Sequence, residues 1–218
     1  GYVYVAGRAD DGFPVTPGVF QPLFQSPLSD GFLAKLTPDG ASLVFSSYFG
    51  ASLDDSSHVV RDLAVNEQGE SYLAASSTSA GYPEAILIAL LQGFQPSHVG
   101  RRDGVVAKIS SDGSQVLWAT YIGGSETEAA ESSIRLDADG NVYYLTMTSS
   151  TDLPTKAEAY DRTFNGVWDF YLAKLSPDGS RLLYGTYLGG SQEEHLEGHE
   201  LAVDAQGSAV IASGTLSS

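Results

Sequence analysis

Three stretches of the chain place carboxylates close enough together to do chemistry: "ASLDDSSH" (residues 51–58), "GSETEAAE" (124–131) and "GSQEEHLEGHE" (190–200). Asp54 and Asp55, Glu126 and Glu128, and Glu193 and Glu194 fall in corresponding loops, each just after an aromatic, glycine-ended run. Oxygen donors gathered in this way suit Ca²⁺, and a field of one sign draws a basic ligand. The plainer reading is solvated loop residues that cap loop amides. Arg135 is the other candidate, because its two counterparts are Ala64 and Ala202. A guanidinium in that slot either pairs with an acid of a neighbouring unit or reaches an open channel to hold an anion or carboxylate.

Two metal patterns fail on their spacing. "DADGN" opens like a calcium loop, but the twelfth residue from Asp137 is Thr148 rather than Glu. His195 and His199, with Glu197 and Glu200, stand four apart in a segment that reads as the approach to a strand. There they would lie about 13 Å from each other, too far to share a zinc ion. No G-x-S-x-G is present, so a nucleophile elbow has no support.

The elements that must position these residues follow from a repeat. "FLAKLTPDGASLVFSSYFGAS" (32–52), "VVAKISSDGSQVLWATYIGGS" (105–125) and "YLAKLSPDGSRLLYGTYLGGS" (171–191) match without a gap. Turn glycines at Gly1, Gly69, Gly140 and Gly207 divide the chain into units 1–68, 69–139, 140–206 and a partial 207–218. Each unit holds four strand-like runs. In "DFYLAKL", Phe170, Leu172 and Lys174 alternate with Tyr171, Ala173 and Leu175, the period of a strand with two distinct faces. "DADG", "NEQG" and "DAQG", and "TPDG" and "SPDG", have type I turn chemistry, with Asp or Asn first or Pro second and Gly fourth. A long connection carries Phe13-Pro14, Tyr82-Pro83 or Leu153-Pro154 and then an aromatic anchor, Phe20, Phe94 or Tyr160. "PEAILIALLQGF" (83–94) is the one helix-like stretch, with Pro83 suited to a first turn and Gly93 to a stop.

Four antiparallel strands per unit of this length predict an all-β chain of β-propeller blades: an open arc of about three blades plus a partial one, in a single segment. "GNVYYLTMTSSTDLP", "DFYLAKLSPDGSRLLYGTYLGGS" and "ELAVDAQG", in that order, resemble the SBBP repeat, a seven-bladed propeller family of bacterial surface and secreted proteins. The resemblance covers nearly the whole chain. Arg135, about five extra residues near "AILIA", and "FGAS" in place of "GGS" depart from it. It implies an innermost "AVD" strand, an outermost "YLGG" strand, and an extracellular or cell-surface location. On that phase the two tight turns share one rim, while the other holds the long connections and the acidic loops.

Composition narrows the partners. A net charge of −16 argues against nucleic acid, and no apolar run is long enough to insert in a membrane. The absence of Cys rules out disulfides and thiolate sites. The reading is a non-catalytic interaction or display scaffold for a protein or glycan ligand. It has no resident cofactor unless Ca²⁺ binds, and its remaining blades come from the parent chain or another copy. Two alternatives are a lyase- or hydrolase-type enzyme at the channel mouth and a calcium-stabilised structural array.

Overall fold

A computed structural model describes residues 1–51, 59–195 and 201–217. The alternating runs form the strands their period demands. β1 (Val3–Ala9), β2 (Asp30–Leu36) and β3 (Leu43–Phe49) make a three-stranded antiparallel sheet. β4 (Val59–Val65), β5 (Ser71–Ser77), β6 (Asp103–Ile109) and β7 (Val116–Ile122) make a four-stranded one, with α1 (Glu84–Leu90) between β5 and β6. β8 (Glu128–Leu136), β9 (Val142–Thr148), β10 (Asp169–Leu175) and β11 (Leu182–Leu188) repeat it. β12 (Glu194–His195), β13 (Leu201–Val203), β14 (Ala209–Ile211) and β15 (Gly214–Thr215) begin another, β13 pairing with β14 and β12 with β15. The chain is therefore an all-β propeller arc: strands two to four of a first blade, two whole blades, and strands one and two of a fourth.

Both faces of each central sheet are buried, and the seams between blades are the core. Leu33, Phe45 and Phe49 of the first sheet pack on Leu73, Val105 and Ile109 of the second. Val106, Trp118 and Ile122 pack in turn on Tyr144, Tyr171 and Leu182 of the third. Within β10 the two sides part as the alternation requires, Tyr171, Ala173 and Leu175 facing one neighbour and Phe170 and Leu172 the other. Each Tyr, Phe or Trp excludes water from both blades at once, which makes the seam the main source of stability.

The tight turns close by their own side chains. Asp137 accepts the amides of Asp139 and Asn141, and Asn66 and Asp204 do the same in their blades. In the strand-three-to-four turns, Asp178 accepts the Ser180 amide and the Ser176 hydroxyl. Those bonds, the Ser176 hydroxyl first, hold its carboxyl down to about 2.

The long connections take a course that the sequence does not announce. They do not stay at one rim but run down the outermost strand of their own blade. Gln21, Gln95 and Asp161 accept the amides of Tyr48, Tyr121 and Tyr187 on β3, β7 and β11. Ser47, Thr120 and Thr186 clamp the same three residues through their hydroxyls. An edge strand leaves a row of unpaired backbone groups, and the connection covers part of it. Below, it latches the next blade: Phe20 N–H donates to Gly113 O at 3.1 Å, and Phe94 N–H to Gly179 O at 2.8 Å. α1 is an insertion in the second connection. Ile86, Ala89 and Leu90 turn inward to the first seam. Gly93 follows, where a Cβ would stand 2.1 Å from Ala119 O, so close approach rather than a left-handed cap fixes that glycine.

Candidate functional site

Of the six candidate acids, Asp54 and Asp55 lie outside the described residues. The others divide by burial. Glu126 is exposed, ion-paired loosely with Arg101 at 3.6 Å, and its loop is tied down where the Ser125 N–H and hydroxyl donate to Asp152. Glu193 is half-buried, its carbonyl accepting the Leu216 amide. Glu128 and Glu194 face inward. They are the first residues of β8 and β12, and their exposure is 0% and 2%.

Each sits beside a carboxyl that the sequence reading passed over, the first residue of a third strand. Glu128 lies within electrostatic reach of Asp103 of the preceding blade. Asp103 accepts the Val99 and Gly100 amides, and Glu128 accepts the Gly124 amide and the Thr148 and Ser150 hydroxyls. At the next seam, Glu194 accepts the Gly190 amide and the Thr215 and Ser217 hydroxyls, and Asp169 accepts the Asn165 amide. A Cβ on Gly189 would stand 2.4 Å from Asp169 Oδ1 and 2.9 Å from Glu194 Oε2, so the two carboxyls converge above that glycine. Asp30 begins β2 in the same way. It accepts the Gln25 amide, and a Cβ on Gly50 would meet its carboxyl at 2.2 Å.

Two carboxyls in one dry seam cannot both be ionised cheaply. Burial, opposed by the Ser150 and Thr148 hydroxyls and aided by the charge of Asp103, pushes Glu128 up to about 7. Burial likewise raises Asp103 and Asp169 above the ordinary carboxylate range. The repeated pair can thus hold one proton between two carboxyl groups, a bond across the seam from blade to blade.

Arg135 lies on β8, the innermost strand of its blade, and its Nη1 donates to Asp62 Oδ2 at 2.5 Å. Asp62 stands at a bulge in β4 of the neighbouring blade and also accepts the Ile134 amide. The guanidinium is only partly exposed, at 31%. Its partner was legible as an oddity too, since "RDLAV" puts Asp where the third blade has Ser133. Among the described residues, no group of three or more His, Cys, Asp or Glu side chains is placed to hold a metal ion. Of the "HLEGHE" group, Glu197, His199 and Glu200 lie outside the described residues.

Comparison with known proteins agrees with the architecture. The family model described as "Domain of unknown function (DUF5122) beta-propeller" matches residues 159–181, the stretch from the third aromatic anchor through β10 to the turn after it. Among curated proteins none matches. A solved structure, a protein of unknown function from Bacteroides caccae, is 15% identical, with a TM-score of 0.26 over 84% of this chain and 61% of its own. The chain thus spans less than two thirds of that protein. A superposition so shallow carries no argument.

Proposed function

We propose that the chain is a non-catalytic propeller scaffold of a secreted or cell-surface bacterial protein, of the SBBP repeat kind, which displays acidic loops to a basic partner. The observation that carries this reading is how the repeated polar residues are spent. Arg135 is paired with Asp62, Asp103 and Glu128 have both oxygens on amides or hydroxyls, and Asp169 and Glu194 each hold their loop through one oxygen. Residues engaged in this way hold blades in register and are poorly placed to turn over a substrate. At the loop end Glu126 and Asp152 stay exposed, with the exposed Arg101 beside Glu126, on a chain of net charge −16.

Long-range attraction of this sort is screened by salt and acts on positively charged ligands. Titration of the chain with a lysine-rich peptide tests the idea. Binding at low salt that weakens as salt is raised, and weakens again in Glu126→Lys/Asp152→Lys, is expected. Equal affinity in the wild type and this variant removes the loops from the reading. A melting temperature that EDTA leaves unchanged removes the calcium-stabilised alternative.

A further inference from the structure

The third long connection is written differently from its two sisters where it approaches β10. "DRTFNGVWD" (161–169) puts oxygen-bearing side chains at its first, third, fifth and ninth places, namely Asp161, Thr163, Asn165 and Asp169, with Gly166 sixth. A calcium loop draws ligands from those places and from the carbonyl of the seventh, here Val167, and uses the glycine for a sharp turn. The twelfth place is Leu172, so the bidentate glutamate of an EF-hand is missing. The sister connections have Gln21 and Gln95 where this one has Asp161.

The side chains already gather in the loop. Asp161 Oδ1 accepts the Thr163 amide and, at 2.7 Å, the Thr163 hydroxyl, while Asp161 Oδ2 accepts Asn165 Nδ2 at 2.6 Å. The Thr163 hydroxyl also lies 3.4 Å from Asn165 Oδ1. Asp169 is wholly buried, and its Oδ2 takes the Asn165 amide. Its Oδ1 has no hydrogen-bond partner among the described residues. That oxygen faces the loop glycine, 3.2 Å from where a Cβ on Gly166 would stand.

The sister loops show what this one lacks. Gln21 and Gln95 accept the amides of Gly50 and Gly123 through Oε1 and turn Nε2 into their loops, to Leu23 O and Ser97 O, both at 3.3 Å. Asp161 has only acceptors to offer in that place, and Asn165 Nδ2 bonds Thr163 O instead, at 3.1 Å. A cation supplies the positive end that the glutamine amide supplies in the other two blades. The loop is open to solvent in its own right. Thr163 and Asn165 are exposed, and so are Ser97 and Val99 of the second blade, which has a whole blade beside it.

We propose that this loop binds Ca²⁺ through Asp161, Thr163, Asn165, the Val167 carbonyl and Asp169, tying the third connection to the start of β10. Two carboxylates among neutral oxygens place the site at the weak end for such loops, with a Kd of about 10⁻⁴–10⁻³ M. On binding, the Asn165 amide turns Oδ1 inward. Asp169 is then the ionised member of its seam pair, and the proton stays with Glu194.

Calorimetric titration of the chelator-stripped chain with Ca²⁺ tests the site, and one equivalent bound is expected. Asp161→Gln restores the residue of the sister blades, so it should fold, and it should weaken Ca²⁺ by about tenfold or more. Glu126→Gln, on the acidic loop of the second seam, should leave binding unchanged. Absence of binding at millimolar Ca²⁺, equal affinity in Asp161→Gln, or a loss in Glu126→Gln overturns the proposal. The site excludes Glu126 and Asp152, so its failure leaves the binding of a basic partner to be judged by the peptide titration alone.

Discussion

At the scale of single residues, the informative groups are those that are charged and dry. The folded chain keeps a proton on Glu128 up to about pH 7 that the unfolded chain releases near 4.5. Stability therefore falls as pH rises between those values and levels off above them, by up to about 1 kcal/mol per pH unit. The groups facing it are Asp103 with His98 behind it, the hydroxyls of Thr148 and Ser150, and the phenols of Tyr144, Tyr171 and Tyr187. Glu128→Gln keeps an acceptor for the two hydroxyls and offers Asp103 a permanent donor. Denaturant unfolding at pH 5 and pH 8 should show the wild type losing more stability than the variant, in which Asp169 is still raised. An unchanged slope would place the proton elsewhere.

Arg135→Ala takes the guanidinium from Asp62, which is 8% exposed and keeps the Ile134 amide, at a cost of about 2 kcal/mol. Asp62→Ala/Arg135→Ala should lose less than the two single changes together, with a coupling of about 1 kcal/mol in a double-mutant cycle. Arg135 stood out in the sequence because its counterparts are alanine. Asp103 and Asp169 did not, because an Asp at the start of a strand reads as a boundary marker, and only the packing of two blades shows that it is enclosed.

At the scale of elements, strand phase and turn chemistry were plain in the sequence because both are local: period-two alternation, and Gly at the position of positive φ. The course of the long connections was hidden, because backbone bonds to a strand far along the chain fix it. Glu128 and Glu194 were misjudged as loop acids for a related reason. They open strands, and a strand's first residue faces whichever neighbour the seam supplies. The turn glycines give a paired test. Gly40 and Gly179 share the left-handed conformation, with φ of 70° and 68°, but only Gly179 lies against a ring. Gly40→Ala should cost about 1 kcal/mol from backbone strain. Gly179→Ala should cost about 3 kcal/mol, since the Trp118 ring must also move. Equal losses in thermal or denaturant unfolding would mean that the ring does not pack on the turn.

At the scale of the whole molecule, stability is set by neighbours. A blade with two seams is held on both faces, and one with a single seam is not. Leu73, Val105, Tyr144 and Tyr171 are wholly enclosed between sheets, whereas Val3, Val5 and Val210 at the two ends remain open. Amide exchange should thus be slowest in β5, β6, β9 and β10 and fastest in β1 and β14. Uniform protection along the chain would contradict a stack of semi-independent blades.

The α1 insertion carries a last consequence. The second connection leaves β5, adds a helical turn and more, and still returns Phe94 and Gln95 to the latch and clamp used by its neighbours. The connection can lengthen between those fixed points so long as α1 keeps Ile86, Ala89 and Leu90 in the seam. Foreign peptide grafted directly after the exposed Leu91, past the buried Ile86, Ala89 and Leu90, should be carried on the outer wall without disturbing the spacing of the blades. Such a chain could vary its ornament from one repeat to the next and leave the masonry untouched.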